Sequence, residues 1–275
     1  MQNTTIAFIG AGNMGHSLIG GLIADGYDPK HMWATCPEAE KLAQLAAQYG
    51  VYTTIDNQEG AAAADVVIFA VKPQVLHKVV LETAPVIQKR RPLVISIAAG
   101  VRTTDIQRWL GGNAAIVRCM PNTPALIRSG ATALFANAQV SAEQKNLAES
   151  IMRAVGLTVW LSDEKQLETV TALSGSGPAY FFRMIEALEQ AAVAAGLPVE
   201  TAHLLTLQTA LGAARMALES AQPVKVLREQ VTSPAGTTER ALEVLEAGGI
   251  NKLFESALHA AEQRAHELGE MFGKE

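Results

Sequence analysis

The sequence predicts an α/β amino-terminal half built on a mainly parallel sheet, followed by an all-α carboxy-terminal half. Three observations carry that prediction. Short β-branched apolar runs alternate with helical patterns over the first ~160 residues, and the strands stop after about residue 163. A G-x-G-x-x-G spacing also falls where the first strand meets the first helix.

The elements follow in order. Strands are expected at Thr5–Ile9, His31–Thr35, Val51–Thr53, Asp65–Val71, Leu93–Ile97, Ala115–Cys119, Ala131–Phe135 and Thr158–Leu161. Helical stretches lie between them at Asn13–Ala24, Glu38–Tyr49, Gln74–Gln88 and Ala142–Val155. Strand–helix–strand rhythm of this kind builds a parallel sheet covered by helices. The run DVVIFAV is continuously apolar and β-branched, as a strand buried on both faces should be. After about residue 163 the periodicity is helical: Pro178–Ala195, Val199–Ala221, Val224–Val231, Thr237–Ala247 and Asn251–Phe272. Gly196-Leu197-Pro198 and Gly248-Gly249 supply the stop signals. The expected domains are residues 1–162 and 163–275.

Two of the later helices are apolar around much of their circumference. Small residues cluster at Ala210, Gly212, Ala213 and Ala214. A helix apolar nearly all round is covered on most sides, and so few neighbouring elements cannot cover two of them. A second subunit is therefore expected to do so, with a compact monomeric bundle as the alternative.

Composition narrows the class. With 275 residues, 49% of them hydrophobic, the chain can bury sizeable cores. The net charge of −5, with scattered basic residues, gives no nucleic-acid footprint. The start MQNTTIAFIG lacks the basic segment of a secretory leader, and no apolar run approaches the roughly 20 residues that span a bilayer. A cytoplasmic protein without membrane or nucleic-acid partners is expected. Cys36 and Cys119 make no disulfide framework. No two histidines stand at i,i+4, and His259 and His266 are seven apart, so no metal site is expected.

The motifs indicate a dinucleotide site. In IAFIGAGNMG, Gly10 permits the tight turn, Gly12 lets backbone approach a pyrophosphate, and Gly15 allows close helix–strand packing. The pyrophosphate would sit on free N–H groups at the helix start, in a Rossmann domain. The second strand ends in Ala34-Thr35-Cys36-Pro37 with no acid for a ribose 2′-hydroxyl. That favours a 2′-phosphate, to which Thr35 and Cys36 could donate and toward which Lys41 could reach. Lys72 and Pro73 follow the buried strand at the sheet's carboxyl edge, where open α/β sheets bind ligands. SIAAG ends the next strand in small residues that admit a flat ring, and RCMPNTPA holds Asn122 and Thr123 between two prolines. In VTSPAGTTER, the stretch before an apolar-periodic helix suits a cap and an anion site at once.

Taken together, GAGNMG, AVKPQ, SIAAGV, RCMPNTPA, LSGSGPAY and VTSPAGTT stand in an order and spacing that resembles the pyrroline-5-carboxylate reductase family, from Ile6 to about Leu268. The resemblance implies reduction of the cyclic imine 1-pyrroline-5-carboxylate to L-proline, the last step of proline biosynthesis. NADPH is the implied cofactor, with NADH as the alternative. It implies a helical dimerisation domain and homo-oligomers built from dimers, up to a decamer. Carried over residue by residue, cofactor contacts fall on Gly10, Gly12, Asn13, Met14, Gly15, Thr35, Asn57, Ala70, Val71, Lys72, Pro73, Ala98, Ala99 and Asn122. Substrate contacts fall on Ser233, Gly236, Thr237 and Thr238, with Thr238 placed to hydrogen-bond the ring nitrogen. Relatives often carry Arg or Ser near the second strand's tip, where this chain has Thr35-Cys36-Pro37. No histidine or carboxylate in these motifs serves as a dedicated acid. Two rivals remain on sequence alone. A β-hydroxyacid dehydrogenase would want a lysine near LSGSGPAY, where Lys165 lies outside the motif, and a nucleotide-binding scaffold would bind cofactor without turnover.

Overall fold

The computed structural model describes residues 4–274. Its contacts divide the chain into two compact units: one runs to Ser176 and takes in the chain from Ala260 onward, and the other is Gly177–His259.

The first unit is an eight-stranded sheet with helices on both faces. Its elements are β1 (Ile6–Ile9), α1 (Asn13–Ala24), β2 (Met32–Thr35), α2 (Ala39–Tyr49), β3 (Tyr52–Thr54), α3 (Asn57–Ala63), β4 (Val66–Phe69) and α4 (Pro73–Arg90). There follow β5 (Leu93–Ser96), α5 (Thr103–Trp109), β6 (Ile116–Met120), β7 (Gly130–Ala136), α6 (Ala142–Arg153), β8 (Gly156–Trp160) and α7 (Gln166–Val170). The strand order is β3-β2-β1-β4-β5-β6-β7-β8. Every pairing is parallel except β6 with β7, which follow one another in sequence and pair antiparallel. The eight expected strands are all present; α3, α5 and α7 go beyond the expected helices.

Burial explains why these segments are strands. Along β1, Ile6 and Phe8 enter one core with Leu18, Ile19 and Ile68, while Ala7 and Ile9 enter the other with Phe69, Leu76 and Ile106. Side chains alternate across a strand, so a run apolar at every position suits a sheet covered twice. Each large side chain so buried contributes about 1.5–3 kcal/mol. α6 starts with a capping box, Ser141 and Gln144 each satisfying the other's backbone N–H.

The second unit holds α8 (Gly177–Ala194), α9 (Val199–Glu219), α10 (Val224–Gln230), α11 (Thr237–Ala247) and the start of α12 (Ile250–Gly273). Before it, a π-helical turn runs Thr171–Gly175. α9 leaves Leu204, Leu211 and Leu218 exposed, at 67%, 61% and 82%. Their spacing of seven puts them on one stripe of the helix. Among the described residues, no helix is long and apolar enough to cross a membrane.

Candidate functional site

The parallel strands end on one edge of the sheet, and the expected cofactor residues gather there. Gly10 follows β1 with φ +105° and donates its N–H to the Thr35 carbonyl at 3.0 Å. A Cβ on Gly10 would stand 2.8 Å from the Ala70 oxygen and from Val71 Cγ1. On Gly15 it would stand 2.6 Å from the Gly10 oxygen. Both glycines are therefore forced by the protein's own packing. Gly12 differs: a Cβ there meets nothing within 4 Å. Its freedom from side-chain bulk is not used by the fold, which leaves it for a ligand.

Gly12 is also the N-cap of α1, with extended backbone and no side chain to accept the first-turn N–H groups. Those donors face outward at the positive end of the helix dipole, at Asn13 and Met14. Beside them lies a cavity of about 360 Å³ lined by Gly12, Asn13, His16, Lys41, Gln48 and Leu126. This chemistry fits a dinucleotide pyrophosphate. The sequence reading passed over His16, Gln48 and Leu126. His16 follows Gly12 by four and so shares its helix face, a signal that was available. Its Nε2 lies 3.0 Å from the Tyr49 hydroxyl, and Gly20 leaves room for Tyr49.

At the tip of β2, Thr35 is fully buried. Its hydroxyl donates to Asn57 Oδ1 at 2.5 Å, and its methyl lies where a Cβ on Gly60 would come to 2.6 Å. Asn57 in turn donates to Glu82 at 3.2 Å. Thr35 thus orients Asn57, and the side chain that reaches outward is Asn57. Cys36 is buried too, its sulfur accepting from the Glu38 N–H at 3.3 Å. Lys41 pairs with Glu38, and this bond and the nearby charge raise its pKa.

Ala70 and Val71 continue β4, and Lys72 stands exposed as the N-cap of α4 with Pro73 in the first turn. Beyond β5, the Ala98 N–H reaches Ser96 Oγ at 3.4 Å, and Ala98 is buried while Ala99 is half-buried. Asn122 spans two motifs, accepting from the Ala131 N–H at 2.9 Å and donating to the Ser174 carbonyl at 3.1 Å. It ties the loop after β6 to LSGSG, where a Cβ on Gly175 would press within 2.5 Å of Met120 Cε.

The second unit holds the other expected group. Gly236 caps α11 without a side chain, so the first-turn donors at Thr237 and Thr238 are left for an acceptor. Ala235 takes φ +57°, and Gly236 is squeezed against the Ser233 oxygen, which its Cβ would meet at 2.9 Å. Glu239 accepts from the Ala235 N–H at 2.7 Å. A turn this constrained presents its N–H groups in fixed directions. Among the described residues no group of three or more His, Cys, Asp or Glu is placed to hold a metal ion.

Comparison with known proteins completes the description. The family model described as pyrroline-5-carboxylate reductase dimerisation matches residues 164–268. One described as NADP oxidoreductase coenzyme F420-dependent matches residues 5–100. The chain is 50% identical to a pyrroline-5-carboxylate reductase of Pseudomonas aeruginosa over 274 residues, covering 100% of both. A solved pyrroline-5-carboxylate reductase from Coxiella burnetii superposes with a TM-score of 0.94 at 55% identity, over 97% of this chain and 98% of that one. A Plasmodium falciparum pyrroline carboxylate reductase with NADP bound gives 0.87 at 30% identity, over 98% and 99%.

Proposed function

The chain belongs to the pyrroline-5-carboxylate reductase family, and on that premise we propose that its two units divide one reaction, the first holding the cofactor and the second the substrate. The activity is the NADPH-dependent reduction of 1-pyrroline-5-carboxylate to L-proline, the last step of proline biosynthesis.

The observation that carries the cofactor half is Gly12, uncapped and with open space where a side chain would stand. Gly10, Asn13, Met14 and Gly15 complete the pyrophosphate cradle, Asn57, oriented by the buried Thr35, the adenosine side, and Ala70 to Pro73 the middle. Ala98, Ala99 and Asn122 border the nicotinamide. When bound, NADPH supplies the hydride that adds to the imine carbon. The α11 turn receives the substrate. The N–H groups of Thr237 and Thr238, with Ser233 and Gly236, bind its carboxylate, each bond to that charge contributing about 1.5–3 kcal/mol. The Thr238 hydroxyl bonds the ring nitrogen and holds it as hydride adds, so both electrons of the C=N π bond end on nitrogen, which carries a proton. These residues orient rather than protonate. Orientation alone can supply roughly 7–11 kcal/mol of a barrier.

The functional division is placed near residue 162, which the family match beginning at residue 164 supports; the compact units part later, after Ser176, with the chain from Ala260 returning to the first. The exposed leucines of α9 join the dimer contact, dimers assemble into a decamer, and the enzyme works in the cytoplasm. The decisive assay follows absorbance at 340 nm. Addition of pyrroline-5-carboxylate to enzyme and NADPH should consume the cofactor, and 3-hydroxyacid precursors should not. Bound cofactor with no consumption would sink the reading.

A further inference from the structure

The Ala98–Val101 segment is fixed from outside itself. Gly100 takes φ +82°, and α12 passes so close that a Cβ on Gly269 would stand 3.0 Å from the Gly100 oxygen. Arg102, next in the chain, pairs with Glu270 at 2.7 Å and Glu168 at 3.5 Å. Then α5 begins with no side-chain cap of its own. Its cap comes from 61 residues away: Glu164 accepts from the Thr103 N–H and from the Thr103 hydroxyl, both at 2.7 Å.

Glu164 also accepts from Arg118 Nη1 at 3.1 Å, and the Arg118 side chain is only 5% exposed. Arg118 sits on β6 directly opposite Ser96 of β5, the residue from which the segment departs. One carboxylate therefore holds the finish of the segment directly, through Thr103, and is itself held by Arg118 on the strand that neighbours β5. A helix of seven residues needs no such device for stability, since a Ser or Asp in place of Arg102 would cap it locally. Burying an arginine for the purpose costs desolvation, and burial does draw the Arg118 guanidinium below its usual range while Glu164 opposes the shift. What the arrangement secures is geometry. A cavity of about 440 Å³ beside it is lined by Arg102, Arg118, Glu164, Glu168, His266 and Glu270.

We propose that Glu164, itself held by Arg118, is a positioning residue for the nicotinamide half of the cofactor, holding Ala98–Val101 in place through Thr103. This rests on the reading that Ala98 and Ala99 border the nicotinamide. The test compares two ligands: NADPH, followed by nicotinamide emission, and 2′-phospho-ADP-ribose, which lacks that ring, followed by calorimetry. In Glu164→Ala, NADPH should bind about tenfold more weakly, with a blunted emission change, because the segment bordering the nicotinamide is no longer held. The ring-less ligand should stay within about twofold of wild type, since its contacts lie at the glycine turn. Glu164→Gln keeps an acceptor for Thr103 and should recover part of the affinity. Wild-type NADPH binding and emission in Glu164→Ala would overturn the proposal, and so would equal weakening of both ligands. Neither titration uses the imine, so a wild-type protein that binds NADPH but reduces no imine would defeat the functional reading separately.

Discussion

Two glycines of one motif should fail in opposite ways when each is changed to alanine. At Gly12 the backbone is φ −75°, open to any residue, and the new methyl meets no protein atom within 4 Å. Alanine is a poorer N-cap than glycine, but it also lowers the entropy of the unfolded chain. The two effects nearly cancel, leaving stability within about 0.5 kcal/mol and the melting temperature within about 2 °C. The methyl instead occupies the space read as the pyrophosphate's. Loss of one hydrogen bond to that charge weakens NADPH about 10- to 100-fold. At Gly10 the φ of +105° is strained for alanine, and the methyl lies 2.8 Å from a backbone oxygen that cannot move aside. Overpacking and strain together cost about 2–6 kcal/mol, or roughly 5–20 °C. Thermal unfolding without ligand, paired with an NADPH titration, measures both quantities. A Gly12→Ala protein that melts like Gly10→Ala, or binds NADPH like wild type, refutes the division.

Three further outcomes are expected. Thr238→Ala should cut turnover with pyrroline-5-carboxylate while NADPH affinity stays near wild type; a parallel fall in both would assign Thr238 to folding. Leu211→Glu puts a charge in the exposed stripe of α9, and since burying one leucine contributes about 1.5–3 kcal/mol, sedimentation should show dimers giving way to monomers. Burial, then the Asp65 charge, raises the Tyr27 phenol to about 12 from 10.0. A folded pKa above the unfolded one gives stability that is complete below pH 10.0 and lost as pH rises toward about 12. Tyr27→Phe should flatten the fall in melting temperature over that window, and an unchanged slope would show that Tyr27 does not cause it.

What the sequence made legible is what local pattern encodes. IAFI and VVIF announce buried strands because every position is apolar, and the Gly10–Gly15 turn is readable because spacing alone defines it. α5 was not legible: its cap lies on Glu164, and no window around Thr103 contains that acid. α3 was hidden for a related reason, since Gly60 looks like a breaker until the Thr35 methyl is seen against it. The role of Thr35 needed the fold as well. Sequence puts it at the strand tip, but only the hydrogen bond to Asn57 shows that its hydroxyl is already committed. At the α11 turn the sequence reads as cap and anion site at once, and the structure adds that Gly236 offers the first-turn donors no side-chain partner.

The remote cap on α5 bears on how the protein can be dissected. A fragment ending at residue 162 would retain all eight strands and the whole glycine turn, and would look self-sufficient by any count of its parts. It would nonetheless lack residue 164, leaving Arg118 inside without its counter-charge and Thr103 without its acceptor. The segment beyond the last strand, Glu164 included, thus belongs to the nucleotide-binding unit, whose compact body runs to Ser176, so a usable fragment must extend past β8 to carry it.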